Sequence, residues 1–299
     1  RDVIVSDVFS PLSGKTSRRH CQRCFFALER IWICFPFTGI IINTHDLAGV
    51  TMSLESPTVL FSDGRHAVYW LGITDETAFR CNTYLIRDGD EVVLVDPGNR
   101  TYFGQVKSRV GQIVAPEKVT GIILSHQDPD VGASMVDWLE VNPDLKIIST
   151  PRTHVLLPHY GKPDYPAFEV EEHGVYPLPS GGALRFIEAP FLHFPGAFVT
   201  YDTASRYLFS GDIWAALDIN WSLVVESFEE HVAAMDLFHL DYMASNVAAR
   251  GFANKLVGVN VEAILPQHGS IITRKDVPAA IDYLRKLRCG LDIIYAGIE

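Results

Sequence analysis

Hydrophobic positions along the chain come in short runs separated by polar turn residues, which predicts strands alternating with helices. The predicted strands are 67–73, 82–87, 91–96, 121–125, 145–149, 184–188, 197–201, 206–210 and 261–265. The predicted helices, where apolar residues recur with a helical period, are 102–113, 132–141, 227–257 and 276–288. Sheets interleaved with helices in this order indicate a layered α/β (α+β) fold.

Residues 1–51 differ from the rest because they show no sustained helix or strand period. They contain three of the five cysteines, and Cys21 and Cys24 form a lone C-x-x-C that we interpret as two free thiols rather than a zinc or redox site. Met52 is a candidate natural start. We therefore interpret 1–51 as an N-terminal extension of upstream or non-native origin, and 52–299 as a single domain.

Charge and hydropathy limit the partners. With 25 Lys+Arg against 36 Asp+Glu, the net charge of −11 would repel a phosphate backbone, so we expect no nucleic-acid partner. The apolar run 31–42 is shorter than the about 20 residues that a bilayer-spanning helix needs, so we expect no membrane anchor. Five unevenly spread cysteines do not resemble a secreted disulfide framework, and we predict a cytoplasmic protein.

Candidate metal ligands follow directly on the apolar strand 121–125, in the sequence His126-Gln-Asp128-Pro-Asp130. Alternate residues at a strand end point to the same side, so one loop could present an imidazole and two carboxylates to one cavity. The alternative is a polar turn in which Asp128 and Asp130 cap the following helix. The pentapeptide alone does not decide between the two.

Three later residues favour the metal site. His193, Asp212 and His268 each stand where an apolar strand ends, at the kind of sheet edge where α/β proteins assemble their sites. One such histidine is more often a core or surface residue. The His126–Asp130 segment followed by these three residues makes four signals in order, which are difficult to obtain by chance. Asp96, at the end of strand 92–96, is instead interpreted as a hydrogen-bond acceptor near the site.

The order His-x-Asp-Pro-Asp, His193, Asp212, His268 resembles the metallo-β-lactamase superfamily, and within it the flavodiiron proteins and their stand-alone oxygen-binding relatives. The supporting stretches are NTYLI at 82–86, LVD at 94–96, LHFP at 192–195, LFSGD at 208–212 and PQHG at 266–269. The resemblance implies an αββα sandwich in which helices flank two mixed β-sheets.

Carried over residue by residue, the resemblance implies a centre of two iron ions. The six implied ligands are His126, Asp128 and His193 for one ion, Asp130 and His268 for the other, and Asp212 as a bridge. Flavodiiron proteins usually carry Glu where Asp128 stands, and the superfamily's zinc hydrolases carry His at that position and another His at Val131. The resulting oxygen-rich shell favours iron, with zinc or manganese as less favoured occupants, and Val131 leaves a coordination position open for O2, NO or water.

Flavodiiron proteins draw electrons from an FMN-carrying domain that follows the di-iron domain, and residues 269–299 are too few for one, so we expect no FMN here. We favour a protein that binds O2, or NO, and senses it through a signalling partner of the chemotaxis type. The second hypothesis is an O2 or NO reductase that uses a separate redox flavoprotein. The third is a metal-dependent hydrolase, against which Asp128 and Val131 argue. A homodimer is left open.

Weaker candidates lie away from the strand ends, and no catalytic residue is firmly assigned. Tyr242 or Tyr160 could offer a phenolic hydroxyl to bound oxygen. His159, together with His154 and His173, lies in a Pro-rich segment that could fold over the cavity. For each of them, a surface or core residue is the leading interpretation.

Overall fold

The structure is a computed structural model that describes residues 56–72, 79–217 and 221–297. The predicted N-terminal extension, its boundary at residue 51 and the C-x-x-C pair lie outside the described residues. Within these ranges, no helix combines the length and the apolar character that crossing a membrane requires.

Short strands alternate with helices, as the hydrophobic pattern predicts. The strands are β1 (Thr58–Ser62), β2 (His66–Trp70), β3 (Tyr84–Asp88), β4 (Glu91–Val95), β5 (Gly121–Ile123), β6 (Lys146–Ser149), β7 (Ala167–Glu169), β8 (Val175–Pro177), β9 (Ala183–Glu188), β10 (Phe198–Asp202), β11 (Tyr207–Gly211), β12 (Ala263–Pro266) and β13 (Ile272–Thr273). The helices are α1 (Phe103–Val110), α2 (Pro129–Gly132), α3 (Met135–Val141), α4 (Pro151–His154), α5 (Val170–His173), α6 (Phe228–Tyr242), α7 (Asn246–Lys255), α8 (Val277–Lys286) and α9 (Leu291–Ile294).

The strands form two mixed sheets. The first sheet has the order β1-β2-β3-β4-β5-β6-β7, antiparallel from β1 to β4 and parallel from β4 to β7. The second sheet has the order β13-β12-β11-β10-β9-β8 and is antiparallel except for the parallel pair of β11 and β12. Both sheets therefore need helical cover on an outer face, because parallel strands are normally buried on both sides.

Side-chain alternation along the strands divides the core into three layers. Along β4, Val93 and Val95 face the core between the two sheets. Val92 and Leu94 point the other way, into a core shared with α1 and α3. A third core lies between the second sheet and helices α6, α7 and α8, and includes Phe252. The protein is an αββα sandwich of the metallo-β-lactamase type, which confirms the predicted fold class.

The long helical stretch predicted over 227–257 is divided into two helices, α6 and α7. Met243 is extended between them and buried. Ser245 then starts α7 by accepting a hydrogen bond from the backbone N–H of Ala248.

A buried ion-pair network joins the two sheets at the edge opposite the candidate ligands. His66, at the start of β2, places Nδ1 2.9 Å from Asp88 of β3 and Nε2 2.8 Å from Asp202 of β10. All three side chains are essentially inaccessible to solvent. Burial alone would lower the pKa of His66, but Asp202 and Asp88 outweigh it and raise that pKa.

Candidate metal centre

The loop that follows β5 carries the first candidate ligands into the space where the two sheets meet. Phe198 at the start of β10 donates its backbone N–H to the carbonyl of Ser125, which ties this loop to the second sheet. Gly211 adopts φ +54°, and a Cβ there would lie 2.7 Å from Ser125 Oγ. Glycine therefore lets the chain leading to Asp212 approach the loop that carries His126.

Asp96 supports this loop from below. Its Oδ1 accepts a hydrogen bond of 2.9 Å from the backbone N–H of Ser125, and the side chain is 3% exposed. Burial raises the pKa of Asp96 to about 6, although the Ser125 N–H and His126 oppose that rise. Asp96 therefore acts as the predicted hydrogen-bond acceptor near the site. It binds Ser125, the residue directly before His126.

One cluster of ligand-type atoms brings together His126, Asp128, His193 and Asp212. Nε2 of His193 lies 2.9 Å from Oδ2 of Asp212 and 3.4 Å from Oδ2 of Asp128. Nε2 of His126 lies 3.2 Å from the same Asp212 oxygen. The four side chains come from three separate loops, after β5, between β9 and β10, and after β11, and they converge on one point.

A second cluster lies next to the first and contains Asp130, His268 and Cys81. Nε2 of His268 is 3.1 Å from Oδ2 of Asp130 and 3.7 Å from Oδ1 of Asp212. Asp212 therefore presents Oδ2 to the first cluster and Oδ1 to the second, as a bridging carboxylate would. The sequence reasoning missed Cys81, which precedes β3 and reaches the centre through a β-bridge to His268.

Several buried atoms at the centre lie close to other ligand atoms but make no hydrogen bond of acceptable geometry among the described residues, namely Nε2 of His126, Nε2 of His268 and Oδ1 of Asp212. Such orphaned buried groups are rare in native proteins and call for an ion or water to satisfy them. Nδ1 of His268 lies 3.1 Å from the carbonyl oxygen of Arg80, so its Nε2 is the nitrogen directed at the cluster. This donor set fits a pair of metal ions, since each orphaned atom is a ligand atom.

The electrostatics of the centre are those of a cation site. Burial alone would lower the pKa of His126, but Asp212 and Asp128 raise it to about 10. Burial would also lower the pKa of His268, which Asp130 and Cys81 hold well above its usual range. The pKa of Asp212 lies well below normal, because the surrounding histidines outweigh its burial. The carboxylates therefore attract positive charge strongly, whether it comes from protons or from metal ions.

The alternative interpretation of the His126–Asp130 loop as a capping turn is not supported. Asp128 occupies the position before α2, but within the described residues its side chain makes no capping hydrogen bond to that helix. Instead, its Oδ1 accepts a bond of 2.7 Å from Nε2 of Gln127. Val131 is fully buried in the core beneath the first sheet, so it points away from the clusters.

An aromatic wall closes one side of the centre. The Phe79 ring centroid lies 4.1 Å from that of His268, and the ring of Phe238 lies 5.7 Å from that of His193. Tyr242 stacks on Phe238 at 4.6 Å and lies 6.0 Å from the His193 ring. Tyr242, a weak candidate from the sequence, therefore does lie beside the centre, and its side chain is half-exposed.

The Pro-rich segment contributes a tyrosine rather than its histidines. Tyr160 donates its hydroxyl hydrogen bond to the backbone carbonyl of Gln127. Burial, with Asp128 and Asp130 nearby, raises the pKa of Tyr160 to about 12. The described contacts do not bring the segment's three histidines to the centre: His159 is exposed, His154 pairs with Tyr165, and His173 lies against Phe168.

His239 is a further residue that the sequence did not single out, because it stands inside the helical pattern of α6. Its Nε2 accepts the backbone N–H of Trp214 at 2.9 Å, and its Nδ1–H donates to the carbonyl of Met235 at 2.8 Å. Trp214 follows Asp212 by two residues, so His239 anchors the loop that holds the proposed bridge. The bond from Trp214 requires the neutral imidazole, because a protonated Nε2 could not accept it.

Because of His239, we expect the protein to lose stability at acidic pH. Burial lowers the pKa of His239 to about 4, below the unfolded value of about 6.5. As pH falls below about 6.5, the unfolded chain therefore binds a proton that the folded chain does not, and the free energy of unfolding decreases. Urea unfolding should show that the free energy of unfolding falls between pH 7 and pH 5 by about 2 kcal/mol more in the native chain than in His239→Gln, whose glutamine stays neutral. Equal losses in the two chains would contradict this role.

Comparisons with known proteins agree with the motifs. A family model described as ODP family beta lactamase matches residues 79–269. The apo state of the chemotaxis sensor ODP from T. denticola is 33% identical, with a TM-score of 0.73 over 81% of this chain and 98% of that chain. A structure of the peroxy diiron species of chemotaxis sensor ODP is 32% identical, with a TM-score of 0.72 over 81% of this chain and 100% of that chain.

Curated relatives are longer. The nitric oxide reductase of Moorella thermoacetica is 26% identical over 254 residues, which cover 74% of this chain and 59% of that protein. The flavo-diiron protein FprA2 of Clostridium acetobutylicum is 24% identical over 210 residues, 67% of this chain and 51% of that protein. For the first matches, the chain spans between 24% and 59% of the relative's length. The predicted resemblance is confirmed, and the chain belongs to the ODP family of beta-lactamase-like proteins.

Proposed function

We propose that this chain holds two iron ions and binds O2 there as an oxygen-sensing protein, with NO as an alternative ligand. The observation that carries the proposal is the pair of adjacent ligand clusters that share Asp212. Support also comes from the sensor ODP structures, which this chain matches at 32–33% identity over 98–100% of their length.

The ligand assignment follows the clusters and agrees with the one implied by the family motifs. His126, Asp128 and His193 would hold one ion, Asp130 and His268 the other, and Asp212 would lie between them. Imidazole and carboxylate ligands in equal number suit iron better than a nitrogen-dominated shell would. When bound, two ferrous ions would supply the electron density that binds O2 or NO.

The chain's own residues would orient the ligands and shield them. Ser125 Oγ, 3.1 Å from Nδ1 of His126, and the carbonyl of Arg80 at His268 fix the ring orientations that aim Nε2 at the centre. Phe79 and Phe238 cover histidine rings with apolar surface, which limits the access of water. The aromatic rings would favour a small, uncharged ligand over an ionic one, because a charged ligand would lose part of its hydration against them.

A signalling protein partner of the chemotaxis type is part of this proposal. A redox partner would be needed instead if the chain were a reductase, and the relationship to the Moorella nitric oxide reductase keeps that as the second candidate. A hydrolase is less favoured, because Val131 is buried in the core and cannot supply the additional metal-binding imidazole of the superfamily's zinc hydrolases.

Turnover separates sensor from reductase. Iron-loaded protein should be mixed with excess reduced flavoprotein while O2 and NO consumption are followed in parallel, with the metal-free chain as a blank. We expect uptake that stops near one gas molecule per centre. Sustained consumption at enzyme-like rates, about 1 to 10³ per second, would instead identify a reductase.

A further inference from the structure

Cys81 lies at the second cluster in a well-fixed position. The next residue, Asn82, receives a hydrogen bond of 2.8 Å from Nε1 of Trp70. Its Nδ2 donates to the carbonyls of Pro266 and Gly269, at 3.0 and 2.8 Å, on either side of His268. These bonds join the segment before β3 to the loop after β12, and they hold the thiol beside His268.

The distances within this cluster suit ligands of one ion. Sγ of Cys81 lies 3.9 Å from Oδ2 of Asp130, and the ligand atoms of Cys81, Asp130 and His268 all lie within 4.8 Å of one another. In a tetrahedral zinc site, for comparison, metal–sulfur bonds of about 2.3 Å and metal–oxygen bonds of about 2.1 Å place a sulfur and an oxygen ligand atom about 3.6 Å apart. The thiol needs little movement to reach that spacing.

The second half of the centre also lacks a ligand that the first half has. Beside the shared Asp212, the first cluster offers three side chains, whereas the second offers Asp130 and His268 unless Cys81 takes part. Nε2 of His268 is fully buried, and although Oδ2 of Asp130 lies 3.1 Å away, no contact in the described part of the chain has the geometry of a hydrogen bond to this nitrogen. This is an independent indication of an ion at this point. Val131 cannot complete the shell from the core.

Charge supports the same conclusion. Two ferrous ions bring four positive charges, and the carboxylates of Asp128, Asp130 and Asp212 balance three of them. A thiolate from Cys81 would balance the fourth and leave a neutral centre. Neutrality matters here because an uncompensated charge is costly beside the buried side chains of His126, Asp212 and His268.

We propose that Cys81 binds the second metal ion as a thiolate, together with Asp130 and His268. This inference rests on the proposed function and adds a ligand to that same centre. On metal binding, the S–H bond breaks, the proton leaves to solvent, and sulfur donates an electron pair to the ion, so no oxidant or reductant is needed. A thiolate makes this half of the centre softer and more electron-rich than an oxygen and nitrogen shell.

Cobalt(II) tests the proposal, because a thiolate bound to cobalt produces a near-ultraviolet charge-transfer band that carboxylate and imidazole do not. The full-length chain is compared in two forms, each with one cysteine left and the others changed to serine. One keeps Cys81, and the matched control keeps Cys289, which is also buried but lies near α9. Bound cobalt is measured by elemental analysis, and folding by circular dichroism.

We expect the band in the chain that keeps Cys81 and its complete loss in the chain that keeps Cys289. Two bound cobalt ions without a band in the Cys81 chain would overturn the thiolate ligand while leaving the proposed two-metal centre intact. Failure of the folded Cys81 chain to bind cobalt would contradict both proposals. An equal band in both chains would also overturn the assignment to Cys81.

Discussion

Replacing Asp212 by alanine should remove metal from both halves of the centre at once. Asp212 directs Oδ2 to the first cluster and Oδ1 to the second, and it is 4% exposed. Groups that only support metal ligands already contribute on the order of 10- to 100-fold in metal affinity, so losing a bridge should cost more than that for each ion. The measurement is metal content per chain after anaerobic loading with ferrous iron and desalting.

The matched control is Asp137→Ala, which removes a carboxylate that pairs with the exposed Arg100 at 2.8 Å. It should keep both ions. Circular dichroism of each variant shows whether the fold persists, so that loss of metal is not confused with unfolding. If folded Asp212→Ala retains two tightly bound ions, Asp212 is not the bridge.

His66→Ala should produce the largest loss of stability. The imidazole stands between the buried carboxylates of Asp88 and Asp202, and its removal leaves both without their partner. Breaking a buried pair in this way typically costs about 3–5 kcal/mol. Hydrogen bonds from Ser180 to Asp88 and from Ser205 to Asp202 remain, so we expect the lower part of that range.

Urea unfolding at neutral pH measures this effect, with His173→Ala as the control. His173 is half-exposed, and its loss should change the free energy of unfolding by less than about 0.5 kcal/mol. The raised pKa of His66 also determines how its contribution to stability changes with pH. The stabilisation from protonated His66 is fully present below its unfolded pKa of about 6.5, and it is lost as pH rises through its folded pKa. The difference in free energy of unfolding between the native chain and His66→Ala should therefore narrow at alkaline pH. A gap that widens would contradict the network.

The fold was largely predictable because the strands that form the sheets are strongly apolar. The run 121–125 contains β5, and the predicted strands 82–87 and 91–96 correspond to the antiparallel pair β3 and β4. Strands β1, β7, β8 and β13 were missed, and each of them is the edge strand of a sheet. Their place at sheet edges comes from tertiary contacts, which local patterns do not contain.

The candidate site was predictable to the extent that its residues end strands. His126, Asp212 and His268 met that condition, and they converge as expected. Cys81 and His239 did not, because one precedes a strand and the other lies within a helix. Cys81 is recognised as part of the site only in the folded structure, where the segment before β3 pairs with the loop after β12. Those two segments are far apart in sequence.

Iron content and oxygen binding together test the central claim most directly. The chain is loaded with ferrous iron under anaerobic conditions, the iron per chain is measured, and optical spectra are followed as O2 is admitted. The account predicts two irons per chain and a new charge-transfer band that appears with O2 and reaches its maximum near one O2 per centre. Two zinc ions bound in preference to iron, or an iron-loaded chain whose spectrum does not change with O2, would contradict it.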